Sequence, residues 1–262
     1  MEIVPIIIQS FNRLEYSMQV LSSFKNHLLY PHEVIVIDNG STDGTVEYLK
    51  MMKELCFIDH LVLNSENKGI AEPKNQGLEI VAEIAKTKTV KFVCITDNDI
   101  VVPFVRDKDN KCCLTHIVEM MDKHSEVGMC GVDLSRDNAP SYQEWWWRLR
   151  QHPLTNPEFT EISVGFWFTV IRMDTFDNFK FIGASNYGRC DESCRNYLGQ
   201  VMKKRIGLWK GVHNYQTHET IPSLGIHLGW TEDFVKFPEY VAMKKAERAK
   251  AEKVWKETNR KW

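Results

Sequence analysis

The sequence predicts a single α/β domain of Rossmann-like type, in which helices flank a mostly parallel central sheet. Two observations carry this prediction. Short apolar runs alternate with segments of helical periodicity through the first hundred residues, and three of these runs end in polar clusters. Strands that alternate with helices at this spacing are typical of βαβ units, whose strands lie parallel.

The first half contains four predicted strands and three predicted helices. The strands are apolar runs, as expected of strands covered on both faces: Ile3–Ile8, Glu33–Asp38, Phe57–Leu63 and Val90–Thr96. The helices have apolar residues at mostly helical spacing: Asn12–Leu29, Val46–Leu55 and Ile70–Ala85.

The pattern is less regular after Pro103. The elements expected there are two helices and three β segments: Leu114–Lys123, Val127–Val132, Ile162–Arg172, Arg189–Lys204 and Ile206–Val212. We therefore expect one domain over residues 1–240, with an ordered half at 1–102 and an irregular half at 103–240. A basic helical tail is expected at 241–262.

Composition excludes several classes of protein. The 262 residues carry a net charge of −2, which argues against a protein that coats nucleic acid by charge alone. The seven cysteines show no CxxC spacing, so free thiols in a reducing compartment, by default the cytoplasm, are expected. No apolar run approaches the roughly 18 residues of a membrane span, so any membrane contact is expected to be peripheral, at the inner face.

Polar clusters follow three of the predicted strands: Ser10–Arg13, Asp38–Asp43 and Asp97–Asp99. In a parallel sheet, ligands bind outside the carboxyl ends of the strands. These three clusters are therefore expected to form one site at that edge. Asp97 and Asp99 place two carboxylates two residues apart, and Mg²⁺ or Mn²⁺ prefers such oxygen ligands, usually with substrate phosphates in the remaining positions.

Three motifs in this order resemble the nucleotide-diphospho-sugar glycosyltransferases of the GT-A fold, specifically family 2. They are VIVIDNGSTDGT at residues 34–45, NKGIAEPKNQGL at 67–78 and ITDNDIVV at 95–102. The resemblance is dense over residues 3–102 and patchy to about residue 218. It implies a nucleotide-sugar-binding half at 1–102 and an acceptor half at 103–240.

The resemblance also implies a donor site. The expected donor-binding residues are Ser10, Asn12, Arg13, Asp38, Asp43, Asn67, Gly69, Lys74, Asp97 and Asn98. Within this set, Asp38 accepts a hydrogen bond from the base, and Lys74 answers the charge of the diphosphate. Asp43 has an equally good interpretation as a helix cap.

For the metal and the catalytic base, the resemblance implies residues in both halves. Asp97 contacts the ribose or the metal, and Asp99 binds Mg²⁺ or Mn²⁺. A further metal ligand is expected among His218, His213 and His227, in that order of preference. The family has a Glu-Asp pair at the start of a helix, and the matching pair here is Asp191-Glu192, in reversed order. Glu192 is the expected base and Asp191 the alternative.

The acceptor site is expected around an unusual aromatic stretch. Trp145, Trp146, Trp147 and Arg148 are adjacent, and three consecutive tryptophans cannot all face inward on a helix or a strand. Aromatic faces stack on sugars and unpaired bases, so this stretch is an acceptor candidate, with a packed loop as the alternative. Gly165 matches the family's glycine before the acceptor region, and Trp167 follows it, although core packing is the preferred interpretation of the stretch Phe166–Phe168.

The resemblance thus implies a metal-dependent, inverting transfer of a sugar, with a UDP-sugar favoured because UDP is the commonest nucleotide in the family. The acceptor is expected to be a bacterial surface glycan, a lipid-linked sugar or a hydroxylated DNA base, with a protein side chain as a third choice. The tail from Met243 to Trp262, with eight Lys or Arg against three Glu, offers contact with an anionic membrane or nucleic acid. The alternatives are a sugar nucleotidyltransferase and a non-catalytic nucleotide-sugar binder.

Overall fold

The computed structural model describes residues 1–135, 159–162, 164–182, 190–214, 219–222 and 224–228. Ten of the described strands form one sheet, and two more form a separate antiparallel pair. The strands of the N-terminal half are β1 (Val4–Ser10), β2 (His32–Asp38), β3 (His60–Leu63), β4 (Phe92–Asp97), β5 (Ile100–Val101) and β6 (Val127–Leu134). Those of the C-terminal half are β7 (Phe159–Glu161), β8 (Thr169–Arg172), β9 (Arg205–Trp209), β10 (Gly211–Asn214), β11 (Glu219–Pro222) and β12 (Leu224–His227).

Strands β3, β2, β1 and β4 lie side by side and parallel, as the sequence predicts. The described helices of this half are α1 (Leu14–His27), α2 (Thr45–Glu54), α3 (Ala71–Ile84) and α4 (Cys113–Lys123). Helix α1 carries Glu15 in its first turn and Lys25 and His27 in its last, an arrangement that the helix dipole favours.

The second half adds a mixed extension to this sheet. Strand β8 lies antiparallel between β4 and β6, while β9 and β12 pair parallel with β6. The predicted segment Arg189–Lys204 is a helix only over α5 (Cys190–Asn196), which continues as a π-helical stretch at Tyr197–Val201. The predicted strand Ile206–Val212 is divided between β9 and β10, with Lys210 between them. The predicted helix at 241–262 lies outside the described residues.

The sheet buries apolar side chains on both faces. One face packs against α1 and α4 through residues such as Val20, Phe24 and Ile117, and the other packs against α3 through Val81 and Ile84. Strand β1 is therefore buried almost throughout, which explains its unbroken apolar run. No helix within the described residues is long and apolar enough to span a membrane.

Candidate active site

The ends of β1, β2 and β4 meet at one edge of the sheet. Ser10 pairs with Asp38 across β1 and β2, and Gln9 pairs with Asp97 across β1 and β4. The register therefore brings together the three polar clusters that were identified in the sequence. It does so because the strands are parallel and adjacent, so that their carboxyl ends coincide.

Asp38 holds the loop that follows β2. Its carboxylate is fully buried and accepts hydrogen bonds from the backbone N–H groups of Gly40 and Ser41, at 3.1 and 2.9 Å, and from the Ser41 hydroxyl at 2.5 Å. Gly40 has φ of 84°, and a Cβ there would lie 2.7 Å from the backbone carbon of Glu66. The loop thus requires both a buried acceptor and a glycine.

Asn12 ties the loop after β1 to the loop after β2. Its backbone N–H donates to the Ser41 hydroxyl at 2.7 Å, and its side-chain oxygen accepts from the Thr42 N–H at 2.9 Å. Asn12 and Arg13 both have positive φ, 55° and 64°. Consecutive residues in this region are uncommon outside glycine, so these bonds hold a turn that the chain would otherwise avoid.

Asn39 fixes the segment that contains the expected donor-binding residues Asn67 and Gly69. Its amide nitrogen donates to the Asn67 side-chain oxygen at 2.8 Å and to the Gly69 carbonyl at 2.9 Å, while its oxygen accepts from the Lys68 N–H at 3.0 Å. Gly69 has φ of 82°, and a Cβ there would meet no atom within 4 Å. The backbone at Gly69 therefore borders open space, where a ligand can approach.

Asp43 accepts hydrogen bonds from the first residues of α1 and α2, in agreement with its interpretation as a helix cap. Its carboxylate accepts from the Leu14 N–H at the start of α1 and from the Thr45 N–H and hydroxyl at the start of α2. Partial burial raises the pKa of Asp43, but these hydrogen bonds outweigh it and hold the pKa below the ordinary value. The donor contact of Asp43 stays a prediction.

The three residues Asp97, Asn98 and Asp99 differ in their surroundings. The Asp97 side chain is 47% exposed at the edge, whereas that of Asp99 is 4% exposed and pairs with the Arg13 guanidinium at 2.6 Å. Asn98 is buried, and its amide nitrogen donates to the Asn12 carbonyl and the Ser17 hydroxyl, both at 3.0 Å. Asp97 is thus accessible from solvent at this edge, and Asn98 braces the loop after β1.

The two carboxylates fit a divalent cation only together with a ligand. Mg²⁺ usually takes one or two protein carboxylates and completes its shell with water and phosphate oxygens. Within the part of the chain that the structure describes, no three His, Cys, Asp or Glu side chains group closely enough to hold a metal. Asp97 is exposed to such a ligand, whereas Asp99 would have to share its carboxylate with Arg13 to bind the same cation.

Lys74 lies below the edge instead of on its surface. The residue is 1% exposed, and its ammonium donates to the Gln9 side-chain oxygen at 2.5 Å and the Ile70 carbonyl at 3.4 Å. It also lies 3.8 Å from Asp97 Oδ1 and 5.3 Å from the centre of the Phe166 ring. This geometry therefore does not favour the direct contact between Lys74 and a diphosphate that the resemblance implies.

The segment after residue 163 reaches the same edge from the second half. The Phe168 N–H donates to the Thr96 hydroxyl at 3.2 Å, at the end of β4. Gly165 is buried, and a Cβ there would lie 3.0 Å from the Trp167 indole, which is itself partly exposed. Gly165 and Trp167, two of the predicted acceptor residues, thus lie next to the strand that ends in Asp97.

Helix α5 carries the expected catalytic carboxylates, Asp191 and Glu192. Burial raises the pKa of the Cys190 thiol, and the charges of Lys74, Asp191 and Asp97 act on the same thiol. Arg195 of α5 donates to the Val164 carbonyl at 2.5 Å, and the segment that follows bonds to Thr96 through the Phe168 N–H, so α5 packs on the segment that adjoins the end of β4.

The two carboxylates of α5 have different partners. Asp191 pairs with Arg195 at 2.6 Å, and its other oxygen accepts from the Glu192 N–H at 2.9 Å. The Glu192 side chain is exposed.

Several predicted residues lie outside the described residues. These are Trp145, Trp146, Trp147, Arg148 and His218. The backbones of His213 in β10 and His227 in β12 are described, and the N–H of Leu228 donates to the Asp99 carbonyl at 2.8 Å. Strand β12 therefore runs next to the residue expected to bind metal.

Three residues of this edge were missed in the sequence. Gln9 links Lys74 to Gly69, whose carbonyl accepts from the Gln9 amide at 3.2 Å, and Asn39 is the hub described above. Phe11 is 41% exposed in the middle of the first loop. Only their positions could have identified these three residues from the sequence, since each lies within or next to a polar cluster at the end of a strand.

The chain belongs to glycosyl transferase family 2, whose model matches residues 6–179. That range includes every strand end of the edge described above and the segment that contains Gly165 and Trp167. The class of protein expected from the three motifs is therefore confirmed.

Among relatives, the chain is 33% identical over 141 residues to TuaG of Bacillus subtilis, which is named as a teichuronic acid biosynthesis glycosyltransferase. The match covers 53% of this chain and 50% of TuaG. This chain thus spans about half the length of that relative.

Two solved structures share the fold. The first 349 residues of TarS from S. aureus, in complex with UDP, align with a TM-score of 0.55 and 16% identity over 93% of this chain and 65% of that one. The mannosyltransferase PcManGT from Pyrobaculum calidifontis, in complex with GDP-Man and Mn²⁺, aligns with a TM-score of 0.56 and 20% identity. That alignment covers 82% of this chain and 59% of PcManGT. The predicted GT-A architecture is confirmed by these alignments.

Proposed function

We propose that this chain is a metal-dependent, inverting glycosyltransferase that moves a sugar from a nucleoside diphosphate, with UDP favoured, to a hydroxyl group of a glycan or lipid-linked sugar. One observation carries the proposal. The exposed carboxylate of Asp97 lies at the carboxyl edge of a parallel sheet. The segment 164–168 bonds to Thr96, next to Asp97, and also to Arg195 of the helix that carries Asp191 and Glu192. One segment thus links the donor-binding edge to the helix of the candidate base.

The donor is expected to occupy the edge between the loops after β1 and β2. Gly69 offers open backbone there, and Phe11 offers an exposed aromatic face on which a base can stack. UDP is favoured because the TarS structure contains UDP, while GDP is the next choice because PcManGT contains GDP-Man.

Asp97 and Asp99 would hold Mn²⁺ or Mg²⁺ in this proposal, with the diphosphate as the remaining ligand. When bound, such an ion neutralises the charge that grows on the leaving diphosphate. The Arg13 guanidinium contacts Asp99 at 2.6 Å. This positive charge, in addition to that of the metal ion, would therefore lie near the phosphates of a bound donor.

Glu192 is the proposed base, with Asp191 as the alternative. In a direct displacement, a carboxylate takes the proton of the acceptor hydroxyl as its oxygen attacks the anomeric carbon and the bond to the diphosphate breaks. Arg195 occupies one carboxylate oxygen of Asp191 and the Glu192 N–H occupies the other, which leaves Asp191 less free to meet an acceptor hydroxyl. The exposed Glu192 is better placed to meet an acceptor from solvent.

A glycan or lipid-linked acceptor is favoured because TuaG is named for teichuronic acid biosynthesis. Trp167, partly exposed beside β4, is the described aromatic side chain best placed to stack on a sugar. A hydroxylated DNA base as acceptor depends on residues 145–150 and on the basic tail, so it stays a prediction.

The proposal is tested by incubating the protein with UDP-, GDP-, dTDP- and CMP-sugars, with Mn²⁺ or EDTA, and measuring nucleotide release in the presence of candidate glycan acceptors. We expect Mn²⁺-dependent release from one donor. Glu192→Gln should lower this rate by about 10²–10⁴-fold while donor binding is unchanged. Glu83→Gln, an exposed change on α3, is the matched control.

Two results would contradict the proposal. Donor binding without release in any combination would support a non-catalytic binder. Full activity in both Glu192→Gln and Asp191→Asn would show that the base lies elsewhere.

A further inference from the structure

We propose that Lys74 is a positioning residue that holds Asp97 and Gln9 from within the protein and makes no contact with the diphosphate. This inference rests on the proposed function, because it concerns how the donor edge is kept in shape. From the resemblance alone, the charge of Lys74 is expected to bind the diphosphate. The burial of Lys74 and the identity of its neighbours favour a different role.

The first argument is that protein oxygens surround the Lys74 ammonium. An ammonium has three protons to donate and no lone pair to accept. Three oxygens lie around it, from the Gln9 side chain at 2.5 Å, the Ile70 carbonyl at 3.4 Å and the Asp97 carboxylate at 3.8 Å. With 1% of the residue exposed, a phosphate oxygen would have to displace one of these partners.

The second argument concerns Gln9. Its side-chain oxygen accepts from Lys74, and its amide nitrogen donates to the Gly69 carbonyl at 3.2 Å. The Gly69 carbonyl also accepts from Asn39, which holds the loop after β2. Lys74 therefore orients Gln9, and Gln9 in turn helps to fix the backbone of Gly69 that borders the open space of the site.

The third argument is that Lys74 contacts both halves of the site. Its ammonium lies 5.3 Å from the centre of the Phe166 ring, in the segment next to Trp167. Phe166 belongs to the same buried apolar cluster as Cys190, the first residue of the helix that carries Glu192. Burying the positive charge of Lys74 costs free energy unless nearby groups compensate it. The oxygens around the ammonium and the Phe166 ring must therefore stay close to it, so Lys74 fixes their positions.

The test is a double-mutant cycle between Lys74→Met and Asp97→Asn, with UDP in the presence of Mn²⁺ as the titrated ligand and calorimetry as the readout. Methionine keeps the unbranched stem and removes the charge. If Lys74 acts through Asp97, each single change weakens UDP binding by about tenfold, and the double variant is weakened hardly more than Asp97→Asn alone. If Lys74 binds the diphosphate itself, the two losses multiply, and the proposal is overturned.

Two controls keep the cycle interpretable. Lys86→Met removes an exposed lysine just after α3 and should leave UDP binding unchanged. An absence of UDP and GDP binding to the wild-type protein would contradict the proposed function itself, which separates that failure from a failure of the Lys74 proposal.

A second measurement needs no substitution, in case Lys74→Met does not fold. Acetylation of the native wild-type protein, followed by mass spectrometry, reports which lysines are exposed. We expect Lys74 to react far more slowly than Lys68 and Lys86, both with and without UDP and Mn²⁺. Reaction of Lys74 at the rate of the exposed lysines, with protection by UDP, would identify it as a diphosphate ligand and overturn the proposal.

Discussion

The two halves of this site are built by different means. In the N-terminal half, parallel strands separated by helices bring their ends together, and side chains such as Asp38 and Asn39 then hold the loops through bonds to backbone groups. In the described C-terminal half, short strands of mixed direction reach the same edge through a few close contacts. The Phe168 bond to Thr96 and the passage of β7 over Gly207 are examples.

This difference suggests a division of labour. A donor with a constant nucleotide and diphosphate suits a half whose loops are held by many mutual bonds. The proposed acceptor half consists of short elements and connecting segments, and such segments tolerate variation better than regular elements do. Single substitutions should therefore have different consequences in the two halves.

The largest loss of stability is expected at Gly207, where β9 and β7 approach each other closely. A Cβ at Gly207 would lie 2.1 Å from the Thr160 carbonyl oxygen of β7 and 2.6 Å from the Phe159 ring. Gly207→Ala should therefore separate β7 from β9 and lower the free energy of unfolding by about 4 kcal/mol. Urea unfolding measures this loss.

Gly199→Ala is the matched control for that change, since its Cβ would meet no atom closer than 4.0 Å. Equal stability of the two variants would mean that β7 is not packed on β9 as described.

A somewhat smaller effect is expected in the first half, at the loop after β2. Gly40→Ala combines a positive φ with a Cβ 2.7 Å from the Glu66 backbone, so we expect a loss of about 3 kcal/mol. Gly69→Ala has a similar φ but open space around the Cβ, and about 1 kcal/mol is expected. The Gly40→Ala loop should also lose UDP affinity, which calorimetry at a temperature where the variant is folded can detect.

These two glycines separate packing from conformation. If Gly69→Ala cost as much as Gly40→Ala, backbone strain alone would explain both losses, and the close approach to Glu66 would be irrelevant.

The smallest effect is expected at Asp43, which joins the starts of α1 and α2. Asp43→Asn replaces charge-assisted hydrogen bonds to Leu14 and Thr45 by neutral ones, which are roughly half as strong, and should cost about 1 kcal/mol at neutral pH. The pKa of Asp43 is below its ordinary value of about 3.9, so its contribution is complete well above pH 4 and is lost as the pH falls through the folded pKa.

Thermal unfolding of the wild type and Asp43→Asn from pH 7 to pH 2.5 measures this difference, which should shrink only at the acid end. A difference that stayed constant across this range would show that the charge of Asp43 is not what stabilises the loops.

The sequence predicted the first half well because its signals are local. Buried parallel strands are continuous apolar runs, and their ends are marked by polar residues, so the positions of Asp38 and Asp97 followed from pattern alone. The burial of Lys74 did not, because it depends on Gln9, Phe166 and Ile70 meeting around one side chain.

The second half was harder to predict because its structure depends on long-range pairing. Strand β7 has three residues and exists through its pairing with β9, more than forty residues away along the chain. The predicted helix at 189–204 ends early because a π-helical stretch follows Asn196, and no local signal in Tyr197–Val201 marks that change. The pairing of Arg13 with Asp99 is likewise a tertiary contact that spacing does not indicate.

The central claim is that the edge formed by β1, β2 and β4 binds a nucleoside diphosphate together with a divalent cation through Asp97. The most direct measurement is calorimetric titration of UDP, and then GDP, into the wild type and Asp97→Asn, each with Mn²⁺ and with EDTA. We predict Mn²⁺-dependent binding of at least one of them to the wild type, weakened about tenfold or more in Asp97→Asn. Binding that is unaffected by EDTA and by Asp97→Asn, or no binding of either nucleotide, would contradict the claim.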